Sequence, residues 1–352
     1  MLRRVFFVMV VVAVAVMASG TAFAQKDWKY GHVAPIQVGK FVQGHQQGAV
    51  AMADYVREKT NGEIKIAIFP LSQLGSERSM LEQTQFGLLD MMDCTTGTLS
   101  NLIPQVGLLD LFFMWPSKEV AHKVITDPDF MKIYGDLLLE KGLVHIGYSE
   151  NENRDFECTK KAVVTPEDMK GIRVRVIESP FFLDGFRAMG ANPVGMPFGE
   201  VYTALQQGVI DMQDNPIPTS VAMKFSEVAK YFTRSGHAYT CLFKLISRDL
   251  WEGLSDKEKE ILKAGAKLGV ETNWKANNEI RKALEAQAVN EEGCTIADLT
   301  PEQRKAFQAT QKDVWTKYAK ECGKIPNNPK YGKYAGVSYF DMIQDKIAQY
   351  NK

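Results

Sequence analysis

The residues best suited to chemistry are two arginines, Arg173 and Arg175, in the stretch Gly171-Ile172-Arg173-Val174-Arg175-Val176. The alternation predicts a strand with both guanidinium groups on one side and Ile172, Val174 and Val176 on the other. Two readings follow. One is a solvated strand face. The other is a strand whose carboxyl end, just before Ser179-Pro180, aims Arg175 into a cleft, because parallel α/β sheets bind ligands at that end. A guanidinium there suits an organic carboxylate, which two parallel N–H bonds fix bidentately.

Other chemistry is sparse. There is no G-x-S-x-G elbow, no H-E-x-x-H pair and no G-x-x-x-x-G-K-[ST] loop. His32, His45, His122, His145 and His237 are scattered, and none stands beside a Ser or Cys nucleophile in sequence. Triads assemble in space, so an exported hydrolase or lyase using Glu178 or His237 as base stays open as a rival. Asp155 and Glu157 read as solvated charges. The cysteines (Cys94, Cys158, Cys241, Cys294 and Cys322) form no C-x-x-C pair and have no His at zinc-ligand spacing, which argues against a metal. No cofactor is expected.

The elements that must position Arg175 alternate in type. Strands are predicted at Trp28–Val33, Ile64–Phe69, Leu88–Cys94 and Leu143–Tyr148, and helices at Phe41–Lys59, Ser76–Phe86 and Lys118–Lys141. That rhythm argues for an α/β fold with a largely parallel sheet. Thr165-Pro166-Glu167 opens a short helix closed by Gly171, and capping boxes stand at Ser255/Glu258 and at Thr300-Pro301-Glu302-Gln303. Between the two boxes, Asp256 to Glu292 lacks proline. As one helix, or one broken near Gly265 or Gly269, it would extend about 55 Å at 1.5 Å per residue. That length suits a strap across two lobes. No repeat or low-complexity linker marks a boundary.

The amino terminus is not part of this fold. Arg3 and Arg4 precede an apolar run from Val5 to Ala18, and Ala22-Phe23-Ala24 supplies an A-x-A pattern before Gln25. This is the layout of a secretory signal peptide, residues 1–24, cleaved after Ala24. The run is too short for the roughly 20 residues that span a bilayer. Lys+Arg and Asp+Glu are both 42. A balanced charge does not draw the whole protein to nucleic acid or to an acidic membrane, so recognition rests on a few placed residues. Export permits disulfides, but five thiols leave at least one unpaired. The candidate pairs are Cys158–Cys241 and Cys294–Cys322.

Four further stretches carry a resemblance. They are Phe69-Pro70-Leu71-Ser72-Gln73-Leu74-Gly75, Gly87-Leu88-Leu89-Asp90-Met91, Asp168-Met169-Lys170-Gly171-Ile172-Arg173-Val174-Arg175-Val176, and the block from Pro197-Phe198-Gly199-Glu200 through Ala204-Leu205-Gln206-Gln207-Gly208 to Gln213-Asp214-Asn215-Pro216. Their order and types resemble the DctP-type periplasmic solute-binding proteins of TRAP transporters, along the whole mature chain. The resemblance implies a two-lobed, type II periplasmic-binding-protein-like α/β fold with a central cleft and a long helix spanning both lobes. Lobe I would comprise 25–151 and 240–280, and lobe II 152–239 and 281–352.

The resemblance also implies roles. Arg175 would clamp the substrate carboxylate, with Asn215 helping to hold that group and orient the arginine. Arg154 would be a second cleft arginine, Phe198 an aromatic wall, and His237 a polar neighbour in a buried network. Glu178 would accept from a ligand hydroxyl or ammonium, or pair with Arg154. Trp115 would line the pocket or the lobe interface. Thr95 stands where sialic-acid-type members carry an acid, so that substrate is not expected. Where the family often has glycine just ahead of the Arg154 position, this chain has Asn151-Glu152-Asn153. If Arg154 and His237 lie at one depth in adjacent strands, Cys158 and Cys241, each four residues further on, would meet. The implied partners are a small organic anion, carboxylate or sulfonate, and the permease subunits of a TRAP transporter, served by a periplasmic monomer. A sensor docking on a receptor is the remaining rival.

Overall fold

The computed structural model describes residues 25–352. The signal segment and its cleavage position after Ala24 lie outside the described residues. Among the described residues there are eleven strands: β1 Lys26–Gly31, β2 Gln37–Val38, β3 Phe41–Val42, β4 Ile64–Phe69, β5 Met91–Thr95, β6 Leu143–Cys158, β7 Arg173–Val176, β8 Asn192–Gly195, β9 Met212–Asn215, β10 Tyr231–Ser247 and β11 Thr295–Asp298. Nine form one sheet in the order β4-β1-β5-β10-β6-β9-β7-β8, with β11 on β10, while β2 and β3 make a separate hairpin.

The sheet is mixed, not largely parallel. Both flanks are parallel, β4-β1-β5 on one side and β9-β7-β8 on the other. The centre is antiparallel, because β6 and β10 are long and run past each other through both lobes. At one end β10 pairs Leu242 to Ile246 with β5. At the other, β6 pairs Asp155 to Cys158 with β9. The expected lobe boundaries at 151/152 and 239/240 therefore fall inside strands. There the register of the pair shifts, between Thr233 and Ala238 and again between Tyr239 and Cys241. Glu152 takes φ +58°, the left-handed region that costs a residue with a Cβ. A family glycine near this point would adopt it freely. Here Arg281 of the long helix holds the Glu152 carboxylate at 3.4 Å and Asp155 at 3.2 Å.

Helix boundaries follow local chemistry. The Lys118–Lys141 prediction resolves into two helices, Lys118–Ile125 and Pro128–Glu140, because Asp127 caps the second and Pro128 opens it. Asp256–Asn290 is one helix, with the Ser255/Glu258 capping box formed. Its glycines do not break it. They let it touch helix Gly44–Lys59: a Cβ on Gly48 would lie 2.5 Å from the Gly269 carbonyl oxygen, and one on Gly269 would lie 2.6 Å from that of Gly48. Further along, Asn273 accepts from the Glu150 N–H at 2.6 Å, and Asn277 donates to the Glu150 carbonyl at 3.1 Å. Ile280 and Leu284 then pack with Ile217 and Phe232 on the second-lobe side.

Two expectations change. Residues Val314 to Ile347, allotted to lobe II, pack instead with Leu99, Ile103, Phe130 and Ile133 in the first-lobe core. All five cysteines are free and buried. In the β6/β10 pair Cys158 faces Tyr231, whereas Cys241 faces Glu150. Because these strands are antiparallel, four residues onward from Arg154 and from His237 lead in opposite directions. Cys294 and Cys322 belong to different cores.

Candidate functional site

The cleft between the lobes holds about 670 Å³ of non-atom space, part of it open to solvent. Three neighbouring strands supply its polar floor. On β7, Arg175 is paired in register with Gln213 of β9. Two residues on, Asn215 faces Asp155 of β6, next to Arg154. Arg175, Asn215 and Arg154 all line the cavity.

Arg173 and Arg175 share a strand face but not an environment. Arg173 is exposed at the strand's start and grips Asp211 with two bonds, Nε to Oδ2 at 3.0 Å and Nη2 to Oδ1 at 2.7 Å. Arg175 is only 3% exposed. Its Nε and Nη2 both donate to the Met196 carbonyl, at 2.9 and 2.7 Å, and it lies 5.8 Å from the Phe198 ring centre. Among the described residues it forms no ion pair. Burial, and then the nearby positive charge of Arg154, push its guanidinium down to about 10. It is still charged at neutral pH and lacks a counterion in contact.

Arg154 is neutralised differently from the expected pairing with Glu178. Its Nε donates to Asp214 Oδ2 at 2.6 Å, and its Nη2 donates to the Asp214 carbonyl. His237 Nε2 reaches the same carboxylate oxygen at 3.1 Å, and Nδ1 meets Ser235 Oγ at 2.8 Å. Burial would raise Asp214, but Arg154 and the His237 hydrogen bond outweigh it and hold the carboxyl below its usual value. Burial keeps the imidazole of His237 neutral. A carboxylate only accepts, so Nε2 carries the proton and Nδ1 accepts from Ser235. His237 therefore sits in the buried network behind Arg154, not on the cavity wall.

Asn215 is held from behind. Its Nδ2 donates to Gln213 Oε1 at 2.6 Å. The Gln213 amide in turn donates to Ser220 Oγ at 2.9 Å and to Glu157 Oε2. Burial pushes the Glu157 carboxyl up to about 8. It is thus not the solvated charge expected from sequence; nor is Asp155, which is buried and bound by Arg281 and the Gly236 N–H.

Glu178, Phe198 and Thr95 line the cavity. Trp115 does not: it is buried in the first-lobe core with its indole N–H on the Leu109 carbonyl at 2.8 Å. The tryptophan fills a core gap because its single polar atom finds a backbone acceptor there. An acid does stand at the Thr95 wall, supplied by Glu77, which accepts from the Thr95 N–H at 2.9 Å, from Thr95 Oγ1 at 2.7 Å and from Thr98 Oγ1. Burial raises the Glu77 carboxyl against those hydrogen bonds. Sequence reasoning missed Glu77, Gln43 and His45 on the first-lobe wall. Asp214 was within reach, since it lies in the quoted Gln213-Asp214-Asn215-Pro216 run.

Among the described residues no group of acids, His and Cys is arranged to hold a metal ion, and no helix is long and apolar enough to cross a membrane. The family model described as DctP, bacterial extracellular solute-binding protein, family 7, matches residues 43–321. The chain is 36% identical over 216 residues to the 2,3-diketo-L-gulonate-binding periplasmic protein YiaO of Escherichia coli (strain K12), covering 60% of this chain and 65% of that protein. It is 33% identical over 273 residues to the sialic acid-binding periplasmic protein SiaP of Vibrio cholerae, covering 75% and 82%. A TRAP periplasmic solute-binding protein from Sulfitobacter sp. NAS-14.1, crystallised with bound β-D-galacturonate, superposes with a TM-score of 0.80 at 27% identity, covering 91% of this chain and 100% of that one.

Proposed function

This chain belongs to the DctP family, the bacterial extracellular solute-binding proteins of family 7, and from that premise we propose that it captures a small organic acid through Arg175 and delivers it to a TRAP-type membrane permease. Family members bind their ligands without converting them, and the chain is not an enzyme. The observation that carries the reading is a buried, charged guanidinium that lines the cleft cavity without an ion-pair partner among the described residues. A buried charge is costly unless paired. A ligand carboxylate supplies the missing counterion, and lobe closure removes water from the pair.

In this reading Asn215 supports the same anionic group, Arg154 adds positive potential but is largely spent on Asp214, and Phe198 covers the guanidinium. Glu178 and Thr95 face other ligand atoms. The lobes move about the irregular middle of β6 and β10. The ligand shifts the open–closed equilibrium only by its differential affinity for the closed form, which the permease recognises. The protein acts as a periplasmic monomer, released after cleavage behind Ala24; light scattering and amino-terminal sequencing of the exported protein check both points.

The test is to release ligand from purified protein and identify it by mass spectrometry, then to screen organic acids by thermal shift. Ligand at 100 times its Kd should add about 2.7 kcal/mol of stability. A stabilising organic acid recovered unchanged after long incubation agrees with the proposal. Stabilisation only by uncharged or cationic compounds, or turnover proportional to protein, refutes it.

A further inference from the structure

The first-lobe wall of the cleft holds polar atoms that the carboxylate clamp does not use. Gln43 is 5% exposed and His45 is 7% exposed, and both line the cavity that Arg175 faces. Among the described residues, Gln43 Nε2 and His45 Nε2 are buried without a hydrogen-bond partner. Unpaired buried donors and acceptors are uncommon, because each forfeits its bonds to water. Here two stand two residues apart on one wall.

They also stand at a helix start. Gln43 is the amino-terminal cap of helix Gly44–Lys59, with extended backbone (φ −67°, ψ 145°), yet its side chain makes no capping bond. The helix has no acid in its first turn. Its first N–H groups have no intrahelical acceptor, and the positive end of its dipole lies beside the two orphaned side chains. A capping glutamine that leaves its own helix uncapped keeps its amide for something else.

We propose that Gln43, His45 and this helix start form a second polar subsite, which takes a hydroxyl or oxo group at the end of the ligand distal to its carboxylate. The inference rests on the carboxylate reading of Arg175. It selects a monoanionic hydroxy or keto acid over an alkanoate, whose apolar tail would leave both side chains unpaired. It also disfavours a second carboxylate, because the acids Glu77 and Glu178 on the same cavity oppose the pull of the helix start on an anion. The subsite offers a carboxamide and an imidazole that burial holds neutral, pushed down to about 4. The acids Glu77 and Glu178 line the same cavity. Glu178 suits the hydrogen of a ligand hydroxyl.

The experiment uses the full mature chain and calorimetry with matched acids: C5 and C6 aldonates, uronates and 2-keto acids, each against the alkanoate and the dicarboxylate of equal chain length. The expected result is that an oxygenated monoacid binds at least tenfold tighter than both of its matches. Gln43→Met should weaken that acid about tenfold or more, with alkanoate binding unchanged. His45→Leu gives the second reading should Gln43→Met fail to fold. Arg175→Ala, run alongside, should weaken oxygenated and alkyl acids alike. Equal or tighter binding of the alkanoate, tighter binding of the dicarboxylate, or a loss under threefold in a folded Gln43→Met or His45→Leu protein overturns the distal subsite while leaving the clamp intact. Arg175→Ala without effect, or no binding by any member of the panel, overturns the clamp and the subsite with it.

Discussion

Replacing Arg175 by alanine should separate binding from stability. In the unliganded protein the guanidinium is buried, has no carboxylate in contact, and lies close enough to Arg154 to be pushed toward its neutral form. Its two hydrogen bonds go to one carbonyl, that of Met196, at the edge of a cavity that water can enter. Removing it relieves like-charge repulsion and a desolvation cost, against the loss of those bonds. The unliganded variant should therefore stay within about 1 kcal/mol of the parent, a change typical of sites without a severe mechanism. Ligand binding is another matter. A desolvated anion left without its partner costs roughly 2–5 kcal/mol. At about 1.4 kcal/mol per tenfold, affinity should fall by about thirtyfold to several thousandfold. Arg175→Lys keeps the charge but loses the planar fork, and should fall between. Calorimetry with the best acid from the thermal-shift screen, on variants checked by circular dichroism and melting, reads both quantities. Arg173→Ala is the control, since its guanidinium is bound to Asp211 at the strand's exposed start. Should Arg175→Ala bind within threefold of wild type, or Arg173→Ala fail equally, the assignment of the clamp is wrong.

Other outcomes can be checked independently. The raised Glu157 carboxyl binds its proton more tightly folded than unfolded, so stability should decline from about pH 4.5 and level off above about 8; Glu157→Gln, which can still accept from Gln213, should flatten that part of a pH–melting profile, and an unchanged slope would contradict the assignment. Alkylation under denaturing, non-reducing conditions should label all five cysteines, and a recovered Cys158–Cys241 or Cys294–Cys322 peptide would refute the free-thiol state. Gly48→Ala places a methyl 2.5 Å from a backbone oxygen that cannot turn aside, so it should cost about 1–3 kcal/mol and lower Tm; an unchanged Tm would mean that the two helices part easily.

Much of the architecture was legible because local rules and tertiary structure agree. Ile64–Phe69 alternates and is a strand, and Ser255 and Thr300 are caps with their boxes formed. The length of β6 and β10 was not legible. The β6 segment beyond the predicted end at Tyr148 carries Glu150, Glu152, Arg154, Asp155 and Glu157, of which Asp155 and Glu157 read as solvated charges. The structure makes it a strand by giving each of these side chains a partner from elsewhere: Lys118 for Glu150, Arg281 for Glu152 and Asp155, Asp214 for Arg154 and Gln213 for Glu157. Long-range pairing of this kind has no sequence period. The site divides similarly. Arg175 announced itself by residue type at a strand end, and Asn215 by its motif. Gln43 and His45 look like ordinary residues at a helix start until the fold brings them into the same cavity lining as the arginine.

The packing of residues Val314 to Ile347 against Leu99, Ile103 and Phe130 has a consequence for the order of events in the cell. Part of the first lobe's core is made late, after strands β7, β8, β9 and β11 have been synthesised. A nascent chain that ends before Val314 lacks the side chains that cover those residues, so the first lobe cannot close on itself during elongation. The first lobe stays incompletely packed until Val314 to Ile347 have been made. Carboxy-terminal truncation would then remove the completing layer of the lobe made first, and the damage should appear as first-lobe protease sensitivity far from the cut in sequence.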